Sequence, residues 1–225
     1  MSLDLVYFAD PMCAWCYGFG PELDKVIAER SKDAAVKLDL VMGGLRAYNK
    51  AVMDDESKRV VREHWQDVIE RTSLPFDAAA MDAPDFAYDT EPACRAVVTA
   101  RQLDASRALE LLHAIQRGFY ARGLDTTKTD VLVEIAQDCG FDAEAFEQAF
   151  SSRPVKRATR DDFVLAQNVG IKGLPTLCVD AGKQLLLINA GLAKAELVLE
   201  GLRRLEEDPA HSRFTEAATP PPAET

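Results

Sequence analysis

An α/β fold built on one small central sheet, interrupted by a long helical block, is predicted by three features of the chain. A short apolar run, Leu3 to Ala9, leads directly into Asp10-Pro11-Met12-Cys13-Ala14-Trp15-Cys16-Tyr17-Gly18, with a helical pattern behind it. From about Tyr48 to Phe150 the apolar spacing is helical throughout. Strand character then returns at Gly173-Leu174-Pro175-Thr176 and ends in a closing helix. Neither half of such a sheet could bury itself alone, so the two halves are expected to form one sheet, with the helices capping the strand ends that carry the cysteines.

The elements follow in order. Leu3 to Ala9 reads as a buried strand, and Cys13 to about Arg30 as a helix with Leu23, Val26 and Ile27 on its apolar side. Val36-Lys37-Leu38-Asp39-Leu40 alternates as a half-buried strand does, Val41-Met42 continues it, and Gly43-Gly44 ends it. This is a βαβ unit with the cysteines at its crossover turn. In the helical block, Val60, Val61, His64, Trp65, Val68 and Ile69 recur at helical spacing, as do Leu109, Leu112, Ile115, Gln116 and Phe119. Val131, Leu132, Ile135 and Ala136 form a third such set, with Gly140 as a C-terminal cap and Asp142 as the N-cap of the next helix. Ser73 to Pro92, with three prolines, reads as a looser connection. A helix runs from Arg153-Pro154 to Asn168, a strand from Gly173 to Asp180, and a hairpin partner from Lys183 to Asn189 across Ala181-Gly182. Ala193 to about Glu206 closes the fold, and the aperiodic stretch from Asp208 reads as a flexible tail. The expected domains are a discontinuous one over 1–46 and 154–206, an inserted helical one over 47–153, and a tail over 207–225.

The chemistry is concentrated in Cys13-Ala14-Trp15-Cys16. A helix N-terminus leaves backbone N–H groups unpaired and carries partial positive charge, which favours a thiolate over a thiol. Two intervening residues put the second sulfur about one turn on, within reach of a small disulfide ring. Cys13 is therefore read as the nucleophile and Cys16 as the resolving thiol. Two other readings compete: half of a structural zinc site, or a pair of inert buried thiols. Zinc needs four ligands, and Cys94, Cys139, Cys178, His64, His113 and His211 are scattered singly, so no metal is expected. The net charge of −11 argues against non-specific nucleic-acid binding, which needs a basic surface. No stretch is long and apolar enough to span a membrane, and none has the form of a signal peptide. Taking Met1-Ser2-Leu3 as the natural start, the expected location is the cytoplasm, where a disulfide would be transient and catalytic.

Gly173-Leu174-Pro175-Thr176 is the second piece of chemistry. A trans proline at a strand start is much the commoner state of an X-Pro bond. Placed in the chain after a βαβ unit with Cys-x-x-Cys, the cis form becomes the expectation, with the Leu174 backbone turned toward the sulfurs and able to pair with an extended substrate.

Three motifs together carry a resemblance: Asp10 to Phe19, Thr90-Glu91-Pro92-Ala93-Cys94-Arg95-Ala96, and Val169-Gly170-Ile171-Lys172-Gly173-Leu174-Pro175-Thr176. Over roughly residues 3–205 the chain resembles DsbA-type proteins of the thioredoxin-like fold, in which a large helical insertion interrupts the core. It is most similar to the FrnE-like branch with its protein-disulfide isomerases. The resemblance implies thiol–disulfide exchange, with Cys13 exposed and nucleophilic, Cys16 more buried and Pro175 cis. It implies no cofactor, glutathione as a candidate co-substrate, and protein or low-molecular-weight disulfides and thiols as substrates. It leaves the oligomeric state open. One departure is Tyr7, where relatives often carry a buried acid six residues before the first cysteine; proton transfer from Cys16 is thus left to Asp10, a water or the substrate. Leu174 is also bulkier than the small polar residue of some relatives.

Around the motif, Met12 and Trp15 are expected to form an apolar, substrate-binding rim together with Leu174. Cys94 is a candidate accessory thiol, set against the commoner role of an inert core cysteine. Cys139 and Cys178 read as structural. Two further functions compete with disulfide exchange. One is a glutathione-dependent isomerase or transferase, like the kappa-class transferases and hydroxychromene-carboxylate isomerases; these typically carry serine at the position of Cys13 and need no resolving thiol. The other is a non-catalytic redox-sensing or binding module.

Overall fold

The computed structural model describes residues 3–32, 35–182 and 184–207. Strand β1 (Leu3–Ala9), helix α1 (Ala14–Arg30) and strand β2 (Val36–Met42) form the expected βαβ unit. Helices α2 (Asp55–Thr72), α3 (Ala79–Asp82), α4 (Glu91–Leu103), α5 (Ala108–Arg122), α6 (Thr129–Asp138), α7 (Ala143–Ser151) and α8 (Arg153–Asn168) follow. Strands β3 (Thr176–Asp180) and β4 (Leu185–Ala190) and helix α9 (Ala195–Glu207) complete the described elements. The four strands make one sheet in the order β2-β1-β3-β4. β1 is parallel to β2, with Ala9 opposite Met42, and antiparallel to β3, with Phe8 opposite Thr176. Its C-terminal end therefore lies beside the start of β3, which places the Cys-x-x-Cys turn next to Pro175.

The apolar run of β1 is explained by its central position, since a strand covered on both faces has no solvent side to mark. Leu5, Tyr7 and Ala9 face the main core, while Val6 and Phe8 pack with Val41, Ala166 and Cys178 on the other face, beneath α8. The main core is continuous: it takes in Leu5 of the sheet, Phe19 of α1, Trp65 of α2, Val97 of α4, Leu112 of α5, Phe146 of α7 and Leu202 of α9. The helical block and the sheet thus share one apolar interior.

Local signals hold where they are short-range. Gly140 sits at φ +79° and lets the Phe141 N–H reach back to the Ala136 carbonyl at 3.0 Å. The Asp142 carboxylate accepts from the Ala145 N–H at 2.8 Å. α2 begins five residues earlier than its first apolar marker, because Asp54 caps it by accepting the Ser57 N–H at 2.8 Å. The loose Ser73–Pro92 connection holds the short α3 and is tied inward, the Asp77 N–H reaching the Tyr120 carbonyl at 2.6 Å. Lys183 and the tail from Asp208 lie outside the described residues.

One partly buried ion pair fastens the helical block to the sheet. Arg101 of α4 makes two hydrogen bonds of 2.9 Å to the carboxylate of Asp162 on α8, and also donates to the Leu40 carbonyl of β2. Asp162 accepts the Met42 N–H at 3.0 Å as well. Removing the guanidinium leaves a largely buried carboxylate short of donors, so Arg101→Met is expected to cost about 2–4 kcal/mol. Urea unfolding of the variant should show a clearly lower midpoint; an unchanged midpoint would mean the pair adds nothing to holding α4, α8 and β2 together.

Candidate active site

The turn after β1 sets the site. The Cys13 N–H bonds the Asp10 carbonyl at 3.1 Å, Cys13 takes extended backbone angles (φ −95°, ψ 117°), and α1 begins at Ala14. Cys13 is thus the N-cap residue and Cys16 the third residue of the helix. An N-cap side chain is where the unpaired N–H groups of the second and third helical residues converge, so a sulfur anion at Cys13 meets donors and the positive end of the helix. No disulfide joins any of the five cysteines in this structure. Cys13 is 3% exposed and Cys16 fully buried. The order of exposure matches expectation, but Cys13 is not the open thiol that was expected.

Across from the sulfurs, the Leu174–Pro175 peptide bond is cis and Pro175 is buried. The Cys13 thiol donates to the Leu174 carbonyl at 3.7 Å, and the Gly191 N–H bonds the Pro175 carbonyl at 2.8 Å. The bulk of Leu174 is turned aside: its side chain lies over Gly43, where an added Cβ would come within 2.5 Å of Leu174 Cδ1.

The rim is different from expectation. Met12 is fully buried, so it lines no exposed edge. The reason is that its backbone is clamped, the N–H to Asp10 Oδ1 at 2.8 Å and the carbonyl to the Tyr88 hydroxyl at 2.6 Å. Trp15 keeps 8% exposure, and its ring carries the Arg71 guanidinium 5.3 Å from its centre. Beyond it opens a cleft of about 530 Å³ lined by Pro21, Glu22, Lys25, Arg71, Leu192 and Lys194. Glu22 is bound within it by Lys25, Lys194 and the Ala195 N–H at the start of α9.

Asp10 organises the turn. It is fully buried; besides Met12, its Oδ2 accepts the Leu45 N–H at 2.8 Å and the Cys94 thiol at 3.4 Å. Burial pushes its carboxyl above the ordinary range, against the pull of Met12, Thr90, Leu45 and Cys94. Cys94 is therefore brought to the site through Asp10. Burial, together with the neighbouring carboxylate, raises its thiol well above the ordinary value and opposes a thiolate there. Tyr7, in the place of the expected acid, is 1% exposed, its hydroxyl without a hydrogen bond of normal geometry. Among the described residues no three His, Cys, Asp or Glu side chains converge as metal ligands, and no helix is long and apolar enough to cross a membrane.

Sequence reasoning singled out Cys13, Cys16, Leu174 and Pro175, and the structure brings them together. It missed Arg71 and Tyr88, which come from the helical block and carry no motif. Asp10 stood in plain view, but its donors at positions 45 and 94 are distant in sequence.

This fold defines a class, the thioredoxin-like proteins of DsbA type. The chain belongs to the DSBA-like thioredoxin domain family, whose model matches residues 4–198. It is similar to a candidate protein disulfide isomerase from Nitrosomonas europaea, at 31% identity and TM-score 0.85, over 92% of this chain and 98% of that one. It is also similar to the cytosolic disulfide reductase DsbM from Pseudomonas aeruginosa, at 25% identity and TM-score 0.76, over 92% and 100%. That reductase with GSH matches at 24% identity and TM-score 0.73, over the same shares. Among curated relatives, the ClpXP adapter protein SpxH of Halalkalibacterium halodurans is 24% identical over 178 residues, 77% of this chain. The chain spans 57% of that relative's length.

The Asp10 network makes a direct prediction. Asp10→Asn replaces an acceptor oxygen with an NH2 group that must face a donor, either Met12 or the Leu45 and Cys94 pair. The expected cost is about 1–3 kcal/mol, or a fall of about 2–4 °C in melting temperature per kcal/mol for a chain of this size. A variant that melts with the parent would show that the buried carboxylate does not hold the turn.

Proposed function

We propose that this protein is a thiol–disulfide oxidoreductase or isomerase that works through Cys13 and Cys16 opposite cis-Pro175. The observation that carries the reading is the position of the two sulfurs, at the N-cap and third residue of α1, with the Leu174 carbonyl 3.7 Å from Cys13. In the reductive direction, the Cys13 thiolate attacks a substrate disulfide and one substrate thiolate leaves. Cys16 then attacks Cys13, forming the Cys13–Cys16 disulfide and expelling the second substrate thiolate. Oxidation of substrate dithiols is the reverse. The Leu174 and Pro175 backbone offers an edge against which an extended substrate chain can lie.

Glutathione suits the cleft beside Trp15. Lys25, Arg71 and Lys194 outnumber Glu22 there, which favours a small thiol bearing two carboxylates, and the similar reductase from Pseudomonas aeruginosa has a structure with GSH. Cys94 is assigned a structural part, as a donor to Asp10, since an accessory nucleophile needs a thiolate that burial opposes there. The protein then needs no bound cofactor. The glutathione-dependent isomerase reading gains nothing from the site, because a resolving thiol is retained at Cys16.

The test is a trapping experiment with glutathione disulfide. Cys16→Ser is expected to accumulate a glutathione adduct on Cys13, and Cys13→Ser to form none and to lose exchange activity by at least a hundredfold. Equal activity in Cys13→Ser and the parent would refute the assignment. A second reading, a partner-binding module, is favoured by the curated relatives being adapters. It would be preferred if the parent exchanged disulfides no faster than an unstructured dithiol peptide.

A further inference from the structure

We propose that Tyr7 is a positioning residue for Cys16: its hydroxyl, which makes no hydrogen bond of normal geometry in the dithiol, donates one to the Cys16 sulfur when that sulfur becomes a thiolate. The proposal rests on the exchange chemistry given above and concerns its second step.

The argument begins with an anomaly in the core. Tyr7 lies on β1, on the face shared with Leu5 and Ala9, and its ring packs 6.0 Å from that of Phe19. Its hydroxyl is buried without a hydrogen bond of normal geometry, a placement that costs stability and that phenylalanine would avoid. Such groups are uncommon in native interiors and call for a specific account. The groups that act on this hydroxyl are few. Burial dominates and lifts it well above the ordinary phenol range; the charge of Cys16 comes next, then that of Cys13, then a hydrogen-bonding approach to Cys16, with Asp24 of α1 weakest. Tyr7 therefore stays protonated throughout the working pH range. It cannot be the base that takes the proton of Cys16, but it is well suited to be a donor to the anion.

Cys16 needs such a donor. It is fully buried, and a sulfur anion in an apolar interior is costly unless it is hydrogen-bonded. In the step concerned, Cys13 is joined to a glutathione sulfur after attack on glutathione disulfide. The Cys16 thiol loses its proton to solvent and its sulfur attacks the Cys13 sulfur. The Cys13–Cys16 bond forms, the bond from Cys13 to glutathione breaks, and the departing thiolate takes up a proton from solvent. The two cysteines are oxidised by two electrons, and glutathione disulfide is reduced to two thiols. The Tyr7 hydroxyl keeps its own proton and closes onto the Cys16 sulfur as a full hydrogen bond when the charge appears there.

The experiment uses the full chain with Tyr7→Phe, which keeps the ring and removes only the oxygen. Rapid quenching and mass spectrometry would follow release of glutathione from the Cys13 adduct between pH 5 and 9. Release is expected to slow about 5- to 10-fold below its pH inflection, and the inflection to move up by about one unit. Adduct formation, measured in Cys16→Ser with and without Tyr7→Phe, should agree within about twofold, and the thermal midpoint should not fall. Unchanged release, or equal slowing of both steps, overturns the proposal. A second variant carries a difluorotyrosine at position 7, with the same shape and a more acidic hydroxyl, and should move the inflection downward; no movement there also overturns it. If Cys16→Ser forms no adduct at Cys13, the exchange reading falls and Tyr7's role with it. Normal formation with unaltered release removes Tyr7 alone.

Discussion

The geometry of the thiol turn depends on a buried carboxylate. Asp10 ends β1, and its two oxygens collect the Met12 N–H from its own turn, the Leu45 N–H from beyond β2 and the Cys94 thiol from α4. A carboxylate taken out of water is tolerated only when its lone pairs are matched by donors. Each of those segments is consequently fixed relative to the others. The Tyr88 hydroxyl closes the same turn from the opposite side by holding the Met12 carbonyl. With both ends of Met12 clamped, Cys13 has one place to go, the N-cap of α1.

The helical block therefore does more than cover the strand ends. Its residues hold the turn, through Tyr88, Thr90 and Cys94, and they shape the approach to it, through Arg71 over Trp15. Tyr17 of α1 stacks on Tyr120 at 5.0 Å and meets Phe76 edge-on at 5.4 Å, while Trp65 touches Phe76, Phe119 and Tyr120. This aromatic cluster continues the core from α1 into α2 and α5. Gly18 permits it, since a Cβ there would stand 2.9 Å from Val68 of α2. A rigid turn inside a shared core suits a site whose chemistry asks for two sulfurs in fixed register.

What the chain discloses on reading is what local rules govern. The strand running into Cys-x-x-Cys, the Gly140 and Asp142 caps and the proline-led β3 each depend on neighbours a few residues apart, and all stand as expected. That the strands share one sheet followed from the need of two incomplete halves to bury each other; their order did not. What stayed hidden depends on long-range partners. Met12 next to an active thiol looks like an exposed rim residue until Asp10 and Tyr88 are seen to pull its backbone inward. Leu174 looks obstructive until Gly43, 131 positions earlier, is seen to receive it. Tyr7 was visible as a departure from the family pattern, but the burial of its hydroxyl near Cys16 belongs to three dimensions alone.

The measurement that bears most directly on the central claim is the redox equilibrium of the pair. The purified protein would be equilibrated in glutathione buffers of graded ratio and the Cys13–Cys16 disulfide quantified by mass spectrometry. A single reversible transition between dithiol and intramolecular disulfide is the predicted result. Its midpoint gives the direction of exchange, oxidising near about −120 mV and reducing near about −270 mV. A pair that forms no disulfide at any ratio would contradict the account and leave the turn a structural feature.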